Sequence, residues 1–99
     1  MDKILVKINK DIMGFMPDYL QNRQTDFMNI KFALDNNDFE RVKQIAHKMR
    51  GSAGLYGLMG LTDIAKEMEE NALTEDKPLL VTLLQKMIFY LENIEIIQS

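Results

Sequence analysis

The chain has 99 residues, of which 46% are apolar and 27% are charged, a composition typical of one globular domain rather than of a disordered protein. No apolar run approaches the ~18 residues that a spanning helix needs, so we expect no membrane association. The net charge of −3 disfavours nucleic acid as a partner, because binding a phosphate backbone requires a basic face. The absence of cysteine excludes disulfides, thiolate metal sites and cysteine nucleophiles.

The N-terminal segment MDKILVKINKDIM carries lysines and aspartates that interrupt any apolar stretch of signal-peptide length. We therefore expect a cytoplasmic protein. The initiating Met and the compact length suggest that the single domain over residues 1–99 stands alone, and we expect it to be a monomer. Ile4–Ile8 has the composition of a strand, but no partner strand is evident, so a short helix or turn packed on the rest is predicted.

Helical periodicity dominates the remainder of the chain. Between Asp11 and Leu34, apolar residues recur at spacings of three, four and seven, which predicts a first amphipathic helix. Pro17 predicts a kink or a restart inside it. Asn36-Asn37 is a turn signal, and Asp38 is a candidate N-cap for a second helix that runs to about Leu55. The apolar face of the first helix consists of Ile12, Phe15, Met16, Leu20, Phe27, Ile30 and Leu34.

Two further helices complete the pattern. The third helix follows a glycine-rich stretch and should end near Asn71. Asp76 before Lys77-Pro78 is a capping signal for a long final helix. Four main helices joined by short turns predict an all-α fold, an antiparallel four-helix bundle with a short extra N-terminal helix or turn. The apolar positions are Leu61, Ile64, Ala65, Met68 and Ala72 in the third helix and Leu80, Leu84, Met87, Ile88, Leu91 and Ile94 in the final one.

His47 is the only histidine, which excludes a zinc site built from several imidazoles. At about 100° per residue, the apolar residues of the second helix form one stripe, and His47 lies about 140° from its middle. We therefore expect its imidazole to face solvent. An exposed imidazole is largely neutral near pH 7 and is nucleophilic without an activating base. The stripe consists of Val42, Ile45, Ala46, Met49 and Ala53.

Positive charge near His47 fits a phosphoryl acceptor, because phosphoryl transfer depends mainly on positioning and charge stabilisation. Arg50 lies one turn after His47 and Lys43 lies on the preceding turn. Lys48 lies about 100° further round the helix and should contribute less. These three residues are the candidate phosphoryl-stabilising cations.

Two glycines follow His47 at helical spacing. Gly51 and Gly54 each weaken a helix interior by up to ~1 kcal/mol relative to alanine, which suggests clearance for a partner's surface. We assign a docking role to these glycines together with Gln44 and Leu55. The alternative is that the glycines mark a helix end and that the exposed histidine is incidental.

Segment 46–58, AHKMRGSAGLYGL, followed by Leu61, Ala65 and Glu69, closely resembles the signature of the histidine-containing phosphotransfer (HPt) family. That signature has a histidine, a basic residue three positions later, a Gly-Ser/Ala-Ala/Ser step, a further glycine and a leucine-rich helix. The likeness extends to the FMP and ALDNND segments upstream and covers roughly residues 11–72. Arg50 stands where most members carry lysine, which keeps the charge but changes its shape.

The resemblance implies a phosphoryl carrier rather than a turnover enzyme. In such a protein His47 accepts a phosphoryl group from an aspartyl phosphate on a response-regulator receiver domain and passes it to another receiver in a two-component phosphorelay. A hybrid sensor kinase is a further partner that the family suggests. The family binds no cofactor itself, and the magnesium sits on the receiver, so no metal site is expected in this chain.

The sequence leaves two other functions open. A non-catalytic helical adaptor would bind a partner through an apolar groove, which methionines can line. The helical spacing of the methionines favours core positions for most of them. A dimeric sensor-kinase fragment would pair through the final helix, but no ATP-binding domain follows. The methionines considered are Met13, Met16, Met28, Met59, Met68 and Met87.

Overall fold

The computed structural model describes residues 3–98, in which two short strands flank five helices. The four long helices pack side by side: each contacts the next along the chain, and the first of them also contacts the last. Because short turns join them, consecutive helices run antiparallel, and the predicted four-helix bundle is confirmed. The elements are β1 (Ile4–Ile8), α1 (Lys10–Met13), α2 (Met16–Asp35), α3 (Phe39–Leu55), α4 (Met59–Leu73), α5 (Lys77–Asn93) and β2 (Ile94–Gln98).

The predicted restart at Pro17 is confirmed. Helix α1 ends at Met13, and α2 begins at Met16 with the proline in its first turn, where a missing N–H leaves no hydrogen bond broken. The break changes the helical phase. Phe15, predicted to face the core, lies ahead of α2 and is exposed, whereas Tyr19 is buried.

The short helix α1 is the predicted extra N-terminal helix, but the prediction that Ile4–Ile8 itself is a helix or turn is wrong. Ile4–Ile8 forms strand β1, which pairs in parallel with β2 at the other end of the chain and buries Val6. Ile94, predicted to continue the final helix, begins β2 instead. Helix α5 ends at Asn93, a buried residue whose side-chain amide donates to the carbonyl of Phe89 at 2.8 Å. A parallel ribbon between the two chain ends leaves no local signal in the sequence.

Both predicted aspartate caps are present. The carboxylate of Asp38 accepts from the N–H of Arg41 at 3.1 Å, and that of Asp76 accepts from the N–H of Leu79 at 3.2 Å. After α3 the chain turns at Gly57, whose φ of 78° is the left-handed conformation that glycine adopts without strain. Helix α4 ends two residues later than predicted, at Leu73.

The core lies between the four long helices. The buried residues of α3 are the five of the predicted stripe. Among the methionines considered as a binding surface, Met16, Met68 and Met87 are buried, whereas Met28 and Met59 are exposed. Within residues 3–98, no helix combines the length and the apolar character needed to cross a bilayer.

The contact between α4 and α5 can be tested at Gly60. A Cβ at this position would touch the buried ring of Tyr90 and lie 2.9 Å from its Cζ atom. We expect Gly60→Ala to lower the free energy of unfolding by about 1–3 kcal/mol, measured by urea denaturation. Gly51→Ala is the matched control, because its Cβ meets nothing within 4 Å, and it should leave stability unchanged or raise it by up to ~1 kcal/mol. Equal stability of the two variants would contradict this packing.

Candidate functional site

His47 lies in the middle of α3, on the side turned away from the bundle core. Its side chain is 70% exposed, as the helical-face argument predicts, while Ala46 and Met49 on either side are buried. The imidazole is therefore accessible to a second protein without any movement of the helix.

Helix α4 brings a carboxylate to this exposed face. The Nδ1 atom of His47 lies 2.7 Å from Oε2 of Glu69, and the guanidinium of Arg50 donates to Oε1 of the same carboxylate at 3.2 Å. The Glu69 side chain is only 17% exposed, whereas that of Arg50 is 44% exposed. One carboxylate of α4 thus joins two side chains of α3, an arrangement called here the His47–Glu69–Arg50 bridge.

The bridge determines which ring nitrogen of His47 is free. An ionised carboxylate only accepts hydrogen bonds, so the Nδ1 atom must carry the proton that it shares with Glu69. In a neutral imidazole, protonation at Nδ1 leaves the lone pair on Nε2. The carboxylate therefore orients the ring and presents Nε2 to solvent. In metal sites, a carboxylate that accepts the N–H of a ligating histidine orients its ring in the same way.

The ionisation of Glu69 reflects two opposing effects. Burial raises the pKa of the Glu69 carboxyl, but the hydrogen bonds and charges of His47 and Arg50 outweigh burial and bring this pKa below its ordinary value of 4.5. At neutral pH Glu69 is consequently a carboxylate and a hydrogen-bond acceptor.

The three predicted cations occupy different surroundings. Arg50 is part of the bridge, so its charge is balanced by Glu69. Lys43 is half-buried and forms no ion pair within residues 3–98. Lys48 lines a cavity between α2 and α3. Of the three, only Arg50 shares a partner with His47.

The four residues predicted to dock a partner are all exposed, but their settings differ. Open space surrounds Gly51, since a Cβ there would meet no heavy atom within 4 Å. A Cβ at Gly54 would lie 3.6 Å from the Thr62 hydroxyl, so this glycine lies against α4. Gln44 and Leu55 point into solvent, and Leu55 is 77% exposed. Clearance beside the imidazole is therefore a property of Gly51 rather than of Gly54.

Hydrogen bonds hold α3 to both of its neighbours beneath this surface. The Thr62 hydroxyl of α4 lies 3.4 Å from the carbonyl oxygen of Arg50, within hydrogen-bonding reach. On the α2 side, the hydroxyls of Tyr19 and Ser52 are 2.8 Å apart, and the Tyr19 ring stacks on that of Tyr56 with a centroid separation of 4.1 Å. Fixed on two sides, α3 is a rigid support for His47.

Sequence reasoning did not assign a role to Glu69, although this residue belongs to the segment that resembles HPt proteins. At about 100° per residue, Glu69 lies about 70° from the middle of the buried stripe of α4, at the border between core and solvent. Glu67 and Glu70 lie farther round the helix and are exposed. This border position was a readable signal, but the sequence does not show which border of α4 meets α3.

The fold and the site define a helical bundle that presents a single exposed histidine, with one of its ring nitrogens bound by a carboxylate. The family model described as "Hpt domain" matches residues 14–94, which extend from two residues before α2 through α5 to the first residue of β2. The chain belongs to the Hpt domain family.

Hpt domains are phosphocarrier modules of phosphorelays that work by histidine phosphotransfer and interact with receiver domains. Neither the search of curated proteins nor the search of solved structures returned a significant match.

The charge on Glu69 should make part of the stability depend on pH. Since its pKa is lower in the folded protein, the bridge stabilises the fold above the ordinary pKa of 4.5, and this stabilisation is lost as the pH falls through the folded-state pKa. At about pH 6 the free energy of unfolding of the wild type should exceed that of Glu69→Gln, by less than ~1 kcal/mol because His47 and Arg50 are exposed, and the wild type should melt at a higher temperature. This difference in melting temperature should close as the pH falls towards about pH 3.

The matched control is Glu67→Gln, which removes an exposed carboxylate of the same helix that forms no ion pair within residues 3–98. Its melting temperature should follow that of the wild type across the series. A gap between wild type and Glu69→Gln that stays constant with pH would contradict the bridge.

Proposed function

We propose that His47 accepts a phosphoryl group from the aspartyl phosphate of a receiver domain and relays it to another receiver. One observation carries the proposal: in a chain of the Hpt domain family, the only histidine is exposed on α3 with Nδ1 bound to Glu69. The proposed carrier is a cytoplasmic monomer, and a hybrid sensor kinase is a candidate source of the phosphoryl group that reaches the first receiver.

The proposed step is an in-line displacement at phosphorus. The Nε2 lone pair of His47 attacks the phosphorus atom of the aspartyl phosphate, an N–P bond forms, and the P–O bond to the aspartate breaks so that its carboxylate leaves. The imidazole then carries a positive charge, which the Glu69 carboxylate stabilises through the proton on Nδ1. Transfer to the next receiver is the reverse reaction, in which an aspartate carboxylate attacks and the neutral imidazole leaves.

The negative charge on the phosphoryl oxygens must be stabilised by cations on the same face of α3 as His47. Arg50 lies one turn from His47, and its tie to Glu69 holds the guanidinium in place beside the ring. Lys43, on the preceding turn, has no competing ion pair within residues 3–98 and is the second candidate. Lys48 lines the cavity between α2 and α3, which supports the expectation that it contributes less than Arg50 and Lys43 to stabilising the phosphoryl group.

The proposal needs no rearrangement of the protein for docking. Gln44, Gly51 and Leu55 are exposed along α3 on either side of His47, and Gly51 leaves space beside the imidazole. A receiver whose active site must come within bonding distance of Nε2 needs such clearance. Leu55 offers apolar area that a partner can cover.

The role of His47 can be tested with a donor that needs no docking. Phosphoramidate should phosphorylate the wild type, giving an acid-labile and alkali-stable phosphate, and should leave His47→Gln unlabelled because the chain has no other imidazole. Circular dichroism and the melting curve of the variant should barely change, since an exposed side chain contributes little packing. Lys86→Gln, an exposed change on α5, is the control that should still be labelled.

Receiver-dependent transfer is then measured with a panel of phosphorylated receiver domains. Transfer to the wild type but not to His47→Gln is the expected result. Labelled phosphate on a folded His47→Gln protein, or stable binding of receivers with no transfer to the wild type, would overturn the proposal and would favour an adaptor.

Substitutions at Gly51 test receiver docking separately from the chemistry at His47. Gly51→Gln places a long side chain beside the imidazole and should slow transfer from a receiver at least tenfold, while phosphoramidate labels the variant at the normal rate. Gly51→Ala is the matched control and should transfer nearly normally. Neither variant should melt below the wild type, because the position is open and glycine disfavours a helix interior by up to ~1 kcal/mol. Normal receiver transfer in Gly51→Gln would show that this glycine is not needed for docking.

A further inference from the structure

A cavity of about 250 Å³ lies between α2 and α3. Three cationic side chains line it, Arg23 from α2 and Arg41 and Lys48 from α3, together with the single carboxylate of Asp26. The hydroxyl-bearing Ser52 and part of the apolar stripe of α3 complete the wall. His47 and Glu69 are not part of this lining, so the cavity is a separate feature from the bridge.

One of the three cations is already neutralised and held in place. The Nε atom of Arg23 lies 2.8 Å from Oδ2 of Asp26, its guanidinium stacks over the Tyr19 ring at 4.2 Å, and its Nη1 atom donates to the Ser52 hydroxyl at 3.3 Å. These contacts fix the guanidinium on the cavity wall. Asp26 is therefore committed to Arg23 and leaves the other two cations unbalanced.

Arg41 and Lys48 form no ion pair within residues 3–98. Two positive charges thus line one concave site in a protein whose formal net charge is −3. Like charges that face the same cavity repel each other, and the low-dielectric wall beside them strengthens any attraction for an anion. Both side chains are exposed, so an anion in solution can reach them.

We propose that this cavity binds a small dianionic oxyanion. The Arg41 guanidinium offers planar pairs of N–H donors that match the oxygens of a phosphate or a carboxylate, and the Lys48 ammonium adds a compact charge. Inorganic phosphate and a short dicarboxylate share this chemistry, and the cavity volume of about 250 Å³ accommodates either. Binding here does not depend on phosphoryl transfer at His47.

The experiment is an NMR titration of the ¹⁵N-labelled full chain with sodium phosphate, and separately with sodium succinate, each against sodium chloride at equal ionic strength. We expect saturable shifts of the backbone amides around Arg23, Arg41 and Lys48 with at least one dianion and not with chloride. The dianion with the lower dissociation constant shows whether the cavity prefers phosphate or a dicarboxylate. Shifts that rise linearly, or that chloride reproduces, would overturn the proposal.

Matched variants locate the binding site. Lys48→Gln and Arg41→Gln should each raise the dissociation constant about two- to fivefold, the loss expected for one exposed ion pair. Lys86→Gln removes a lysine that lines a different groove, beside α5, and should leave the constant unchanged. Circular dichroism establishes that each variant is folded. Equal affinity of Lys48→Gln, Arg41→Gln and Lys86→Gln would place the anion elsewhere and overturn the proposal.

Discussion

The packing of α4 against α3 is the constraint on which the site depends, because it places a carboxylate beside an otherwise isolated histidine. Glu69 lies at the border of the buried stripe of α4, where packing positions its side chain, and its contacts with His47 and Arg50 keep the carboxylate ionised. Its two oxygens reach His47 and Arg50, which are one turn apart on α3. A shift of α4 along or around its axis would separate these groups.

The bundle holds this geometry by conventional means. Aspartate caps set where α3 and α5 begin, and Gly57 allows the sharp turn that returns α4 along α3. The exposed ion pairs of the bridge contribute little to stability, so the fold does not depend on the bridge. Instead, the bridge depends on the fold. Burial of the apolar stripes positions the helices, and the helices place Glu69 where it holds the proton on Nδ1 of the imidazole.

Local patterns made much of this structure predictable. The core stripe of α3 and the exposure of His47 follow from helical periodicity, and the restart at Pro17 follows from the missing N–H. The pairing of β1 with β2 was not predictable in this way, because it joins the two ends of the chain through backbone hydrogen bonds that no local pattern encodes. The role of Glu69 was missed for a related reason: periodicity places a residue on a helix face but does not say which neighbouring helix it meets.

In the proposed carrier, Glu69 holds the proton on Nδ1 of His47 and so leaves Nε2 as the nucleophile. Long-range ¹H–¹⁵N NMR of the imidazole tests this directly, before and after phosphorylation by a receiver domain. We expect a neutral ring protonated at Nδ1 and, after transfer, a phosphoryl group on Nε2. A neutral ring protonated at Nε2, or a phosphoryl group on Nδ1, would contradict it.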